Sequence, residues 1–318
     1  MKVLHGSQGV SEYCLYMKCV RSLLLVHMFK MEKGGQVGVE RVLCRKNEVL
    51  SMVSTGNLHS FWPDGYRCCF FLSFDYDSSS AEMWKTPNDI VSQSKGAYAP
   101  KVAIPRILDM LDELQVKTTF FVPGWTADNH QTSVKEIVGR GHEVGAHGYM
   151  HERITEVSWE AERSIFDRSI ESLRAVGVRP VGYRAPYWLV SDRTVGHLKR
   201  LGFEYSSNFM DDDMPYMLSY RGEETGLVEL PVEWLLDDWP HFETARMSPD
   251  DVYRLWKPEF EGLYDLGRYF GLTCHPECIG RVSRLRMLGR LLEEARDKGD
   301  VWFPTGKELS DWVRERLT

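Results

Sequence analysis

From Asp64 to the C-terminus the chain alternates short apolar runs with longer stretches whose apolar residues recur three and four positions apart. Cys68-Cys69-Phe70-Phe71-Leu72-Ser73-Phe74 is almost unbroken, the pattern of a strand buried on both faces. Ile104 to Leu114 has helical spacing, with Pro105 near the start, where a missing N–H costs nothing. Thr118-Thr119-Phe120-Phe121-Val122 predicts a strand stopped by Pro123-Gly124, and Gly141-His142-Glu143-Val144-Gly145-Ala146 another, opened and closed by glycine. Beyond it, helices are predicted around 158–176, 193–201, 249–268 and 282–297, strands at 181–185, 226–232, 270–274 and 301–304, and a last helix from near Gly306. Such alternation is that of an α/β barrel or a doubly wound sheet, and a count of strands does not choose between them.

The first sixty residues break the pattern. Lys and Arg mix with cysteines and isolated apolar residues, and Gly34-Gly35 interrupts what periodicity there is. Residues 1–60 are therefore expected to be a flexible or loosely attached extension, or sequence upstream of a true start near Met52, with one catalytic domain over 61–318. Leu23-Leu24-Leu25-Val26 is too short for a signal or membrane segment, and no apolar run approaches the length of a bilayer span.

Hydrophobic content of 43% supports a sizeable core, and a net charge of −7 argues against nucleic acid or an anionic membrane surface as partner. Seven cysteines, an odd number without a disulfide framework, suit a reducing compartment, so a cytoplasmic location is expected. Cys274 and Cys278 flank His275, but Cys274 on a strand is expected to be an ordinary core residue.

The chemistry gathers where predicted strands end. His147 and His151, four apart, follow the strand at 141–146 and can offer two imidazole nitrogens to one metal ion. A lone His-x3-His pair is a weak signal, and its place on the loop leaving a strand strengthens it. Asp75 and Asp77 follow the apolar run of 68–74, and their spacing of two puts both carboxylates on one side. Two like charges so close repel; a dication beside them relieves this, with one carboxylate ligating and the other free as a base. Arg184 and His275 lie at two further strand exits, so all these residues meet at one mouth if the sheet closes.

In this order the motifs resemble the polysaccharide deacetylases with a NodB homology domain, carbohydrate esterase family four. The resemblance runs from about Phe61 to the C-terminus. It rests on Ser73-Phe74-Asp75-Tyr76-Asp77, on His147 and His151, and on Tyr183-Arg184-Ala185-Pro186-Tyr187-Trp188. Asp237-Asp238-Trp239-Pro240 is similar to the family's Asp-Trp motif, and Leu272-Thr273-Cys274-His275-Pro276 to its late Leu-x-x-His motif. Tyr76, between aspartates that most members have adjacent, resembles the branch of peptidoglycan-deacetylase-like, allantoinase-like and imidase-like proteins.

The resemblance implies a distorted (β/α) barrel of about seven strands. It implies a divalent metal on Asp77, His147 and His151, Asp75 as general base, Arg184 orienting that base and keeping it charged, and His275 as acid. An aspartate beside His275 would raise its pKa into a useful range; Asp238 is the candidate partner, and the sequence does not separate it from Asp237. Zinc is the first choice of metal, and the donor set also suits iron, cobalt or nickel. The expected reaction is hydrolysis of a non-peptide amide by a metal-activated water, with the oxyanion resting on the metal and a backbone N–H near Tyr187.

Two substrates compete: an N-acetylated sugar, and a small cyclic amide as for the allantoinase-like members. A third reading is a metal-binding scaffold without activity, which loss of a base or ligand would favour; none is missing. Trp84, Trp125, Tyr149, Tyr187, Trp188, Trp234 and Trp239 lie near predicted strand exits and could stack on sugars or wall off a small ligand. A deep pocket lidded by Ser78 to Tyr98 would favour the small amide, and an open trough the glycan. Oligomeric state is left open, a homo-oligomer included.

Overall fold

The structure, a computed structural model, describes residues 61–318 and, of the residues before them, the backbone of four strands. These are β1 (Val3–Leu4), β2 (Tyr13–Val20), β3 (Leu23–Met31) and β4 (Val37–Arg45), paired antiparallel in that order. They belong to a compact unit, Met1–Asn57, distinct from Leu58–Thr318. The extension expected over residues 1–60 otherwise falls outside the described residues.

The larger unit is built on a nine-stranded sheet: β5 (Cys68–Asp75), β6 (Thr119–Val122), β7 (Glu143–Ala146), β8 (Gly182–Tyr183), β9 (Tyr205–Ser206), β10 (Tyr216–Tyr220), β11 (Glu223–Glu229), β12 (Tyr269–Cys274) and β13 (Val301–Trp302). The order is β10-β11-β9-β8-β7-β6-β5-β12, with β13 against the start of β5. β10 is an antiparallel appendage on β11, which leaves seven strands running parallel from β11 to β12. A parallel bridge from Asp237 to Thr273 draws the chain after β11 onto the outer edge of β12, so the sheet curls towards closure. The expected (β/α) barrel of about seven strands is the observed fold.

Period-two alternation along β5 sorts its residues. Cys68, Phe70, Leu72 and Phe74 join the larger apolar cluster with residues such as Ile107, Leu111, Trp256 and Leu288 from the surrounding helices. Cys69 and Phe71 face the other way, to Phe121, Tyr205 and Tyr269 and to Leu309 and Val313 of the last helix. Ser73 and Asp75 continue that second row, so Asp75 ends the strand pointing into the barrel.

Helices Trp159–Ala175, Pro249–Asp265 and Gly306–Leu317 begin at Ser158, Ser248 and Thr305, whose side chains accept a backbone N–H of the first turn; Thr305 and Glu308 form a reciprocal capping box. Helices Ile104–Glu113, Thr194–Leu201 and Val282–Arg296 also fall where the spacing predicts them. The strand expected at 226–232 starts three residues earlier, as half of a hairpin whose partner, β10, the pattern does not announce. β9, with two residues, is too short for alternation to register. It packs where Gly182 leaves room: a Cβ there would lie 1.9 Å from the Tyr205 ring.

Candidate active site

The exits of β5, β7, β8 and β12 converge, and the side chains there interlock. Arg184, just past β8, is 1% exposed; its Nη1 donates to Asp75 Oδ1 at 2.8 Å and to Ser73 Oγ at 2.9 Å, and its Nη2 to Ser207 Oγ at 2.8 Å. The guanidinium lies over the Phe121 ring, 4.3 Å from its centroid. Its own carbonyl accepts Nδ1–H of His147 at 2.7 Å. That bond fixes the tautomer of His147 and leaves the Nε2 lone pair free. One residue thus orients a carboxylate with its side chain and an imidazole with its backbone.

His147 Nε2 lies 3.4 Å from Asp77 Oδ1, and His151 Nε2 lies 3.1 Å from Asp77 Oδ2. Asp77 Oδ1 and His147 Nε2 are buried and make no hydrogen bond. The three residues are buried and offer ligand atoms all within 4.8 Å of one another, an arrangement that fits a divalent ion. Burial would raise Asp77, but His151 and His147 outweigh it and hold the carboxyl well below its ordinary range. Burial lowers His151, with His147 and His275 adding to the effect against Asp77. At His147 burial also opposes charge, yet Asp75 and Asp77 together raise it.

The loop carrying the histidines is bent by Gly148, at φ +67°, and by His151 itself, at φ 60°. Glu152, buried, accepts the N–H of Tyr149 at 3.0 Å and braces the bend. A second strained turn follows Arg184, where Tyr187 and Trp188 have φ of 59° and 53°. It is tied down from β9 and β11: Asn208 Oδ1 accepts the N–H of Ala185, and Glu229 Oε1 accepts the N–H groups of Asn208 and Phe209. Burial pushes Glu229 up to about 7.

His275, at the end of β12, resolves the choice left open between two aspartates. Its Nδ1 is 2.7 Å from Asp238 Oδ1 and 3.7 Å from Asp237 Oδ1, and Asp238 also accepts its backbone N–H. Burial opposes charge on His275, but Asp237 and Asp238 outweigh it and hold the imidazole well above its usual range. Burial, with the neighbouring Asp238, pushes Asp237 up to about 7.

These groups face a pocket of about 310 Å³. Asp75, Asp77, His151 and His275 line it, with Tyr187, Trp188, Trp234 and Trp239 as aromatic walls. Ala81, Glu82, Lys85, Thr86 and Ser92 wall it from the segment of 78–98. That segment forms two short helices, Ser80–Lys85 and Ile90–Gly96. Lys85 donates to the Tyr187 hydroxyl and lies 4.3 Å from the centroid of that ring; Lys95 bonds Glu243 at 2.6 Å and lies 4.0 Å from the Trp239 centroid. Two lysines so fasten the segment to two walls.

Of the other aromatic residues singled out from the sequence, Trp84 is exposed, while Tyr149 and Trp125 pack with Ile154 and Ile165. They do not line the pocket. Cys274 is a core thiol, as expected, and Cys278 is buried as well. Sequence reasoning missed Glu82 and Glu277, both at the pocket. Glu277 is buried with Oε2 unpartnered, and burial together with Asp77 pushes it well above the usual carboxyl range. Neither glutamate stands in a motif; the one available hint was Pro276-Glu277 directly after His275. Among the described residues no helix is long and apolar enough to cross a membrane.

The sequence profile described as polysaccharide deacetylase matches residues 96–206. A peptidoglycan deacetylase of Helicobacter pylori is 31% identical over 259 residues, covering 71% of this chain and 87% of that protein. A peptidoglycan deacetylase-like protein of Gibberella zeae is 27% identical, covering 80% and 89%. Among solved structures, a Mycobacterium smegmatis protein assigned to the polysaccharide deacetylases superposes with a TM-score of 0.75 at 39% identity, over 81% of this chain and 94% of that one. The Puue allantoinase superposes at 0.73 with 22% identity, over 82% and 94%, a likeness of fold.

Proposed function

The chain belongs to the polysaccharide deacetylase family, hydrolases of amide C–N bonds, and from that premise we propose that it removes the acetyl group from an N-acetylated amino sugar in a metal-dependent reaction. The observation that carries this reading is the juxtaposition at one pocket of the Asp77–His147–His151 ligand set, the Arg184-bound Asp75 and the Asp238-bound His275.

Asp77 and the Nε2 atoms of His147 and His151 would hold the ion, zinc by preference. When bound, a divalent ion supplies a Lewis acid for the amide carbonyl and makes a water more acidic. Asp75 takes the proton of the attacking water, and Arg184, desolvated over Phe121, keeps that carboxylate aimed. The N–H groups of Trp188 and Leu189 are spent on the carbonyls of Ala185 and Pro186, which leaves the N–H of Tyr187 as the donor proposed for the tetrahedral oxyanion. His275, kept cationic by Asp238, delivers the proton to the departing nitrogen. The compact unit Leu58–Thr318 supports a single catalytic domain over 61–318, and the cysteine usage supports a cytoplasmic location.

A second reading, ring opening of a small cyclic amide, is favoured by the segment from Ala81 to Ser92, which supplies five of the pocket's lining residues. Metal-loaded protein should be tested on N-acetylglucosamine oligomers and, in parallel, on cyclic imides and ureides, with Asp75→Asn as control. Acetate release lost in Asp75→Asn supports deacetylation, and ring opening supports the second reading. Metal binding without turnover on either panel would sink both and leave a metal-binding scaffold.

A further inference from the structure

Glu277 is 3% exposed, lines the pocket, and has an Oε2 that is buried without a hydrogen-bond partner. A buried carboxyl oxygen left unpaired is costly, so its presence at a binding pocket points to a partner that arrives with the ligand. Glu82, on the segment that walls the pocket, has an Oε2 in the same condition, and it acts electrostatically on Glu277 together with Asp77 and His275.

The cations nearby are otherwise engaged. Arg184 is spent on Asp75, Ser73 and Ser207, His275 on Asp238, and the Lys85 ammonium on the Tyr187 hydroxyl and ring. A metal ion does not answer the need either. Among the described residues the side-chain groups able to hold one are Asp77–His147–His151 and Asp237–Asp238–His275, and neither includes Glu277 or Glu82. The pocket therefore presents two buried carboxyl oxygens, Oε2 of Glu277 and of Glu82, that have no hydrogen-bond partner.

We propose that Glu277, assisted by Glu82, is a substrate subsite for a primary ammonium group, so that the preferred substrate is an amide that also carries a free amine. The proposal rests on the amide-hydrolase reading for the reacting bond and adds the substituent that the pocket selects.

Three acetamides of similar length test this on the metal-loaded full chain: N-acetylethylenediamine, positively charged; N-propylacetamide, neutral; and N-acetyl-β-alanine, negatively charged. Binding is titrated by NMR and acetate is followed separately. Wild type should bind the cation about tenfold more tightly than the neutral amide, the effect of one charge-assisted hydrogen bond, with the anion weakest. Glu277→Gln, close in shape, should abolish that gap with affinity for the neutral amide and metal content unchanged, and Glu82→Gln should narrow it. A wild type that binds the neutral or anionic amide best overturns the proposal, whether or not the variants fold. So does a gap that survives in Glu277→Gln, or loss of metal from it. A cation-first ranking without acetate from any probe would instead uphold the subsite and count against the hydrolase reading.

Discussion

Replacing Arg184 by Met removes the guanidinium while keeping an unbranched apolar chain against Phe121. The variant leaves Asp75 4% exposed without the cation that bonds it at 2.8 Å. Ser73 and Ser207 keep partners of their own, the carbonyls of Leu272 and Leu230, so the cost falls mainly on Asp75. Two unit charges with centres about 4 Å apart attract by about 4 kcal/mol at an effective dielectric constant of about 20, and breaking a buried pair by removing one member costs about 3–5 kcal/mol. Urea denaturation of chelator-treated protein at pH 7.5 should therefore show that loss, with the slope against denaturant unchanged.

Asp75→Asn in the Arg184→Met background should recover much of the loss, with a coupling on the order of 2 kcal/mol or more in the double-mutant cycle. A loss under about 1 kcal/mol would refute the idea that Arg184 exists to hold a buried charge.

Three further outcomes follow from the same geometry. Zinc at about one hundred times its Kd should stabilise wild type by about 2.7 kcal/mol and His147→Ala not at all; equal stabilisation of both, or stoichiometric zinc retained by the variant, would remove His147 from the ligand set. Asp238→Asn keeps the contact to His275 Nδ1 but loses its charge, so the imidazole should titrate lower than in wild type. Ring-proton NMR reads the shift, and an unmoved titration would show that Asp237 suffices. Glu229, pushed up to about 7 by burial, has a folded pKa above its unfolded value, so its contribution to stability is complete below about 4.3 and is lost as pH rises through about 7. Glu229→Gln should therefore gain on wild type between pH 5 and pH 8 in denaturation curves, and a constant difference would refute the assignment.

Periodicity and motif order carried much of this protein on their own. A strand such as Cys68–Asp75 is legible because burial on both faces demands an unbroken apolar run, and Asp75 and Asp77 stand out as charges where that run ends. His147, His151, Arg184 and His275 are legible for a similar reason: each follows a local pattern that predicts a strand exit, and a parallel sheet gathers its exits at one edge. What depends on neighbours distant in the chain was not legible. Asp237 and Asp238 are adjacent and chemically identical, and the Asp237–Thr273 bridge with the course of the following turn decides that Asp238 meets Nδ1 of His275. Trp84 and Tyr149 looked like Tyr187 and Trp239 in one dimension, yet one is exposed and the other packs in a separate cluster. The bonds from Glu229 through Asn208 to Ala185, and the unpartnered Oε2 of Glu277, exist only because separate strands and loops arrive at one place. Local periodicity is written in residues a few positions apart, whereas a pocket's charge balance depends on which distant side chains the closed sheet brings within a few ångströms of each other.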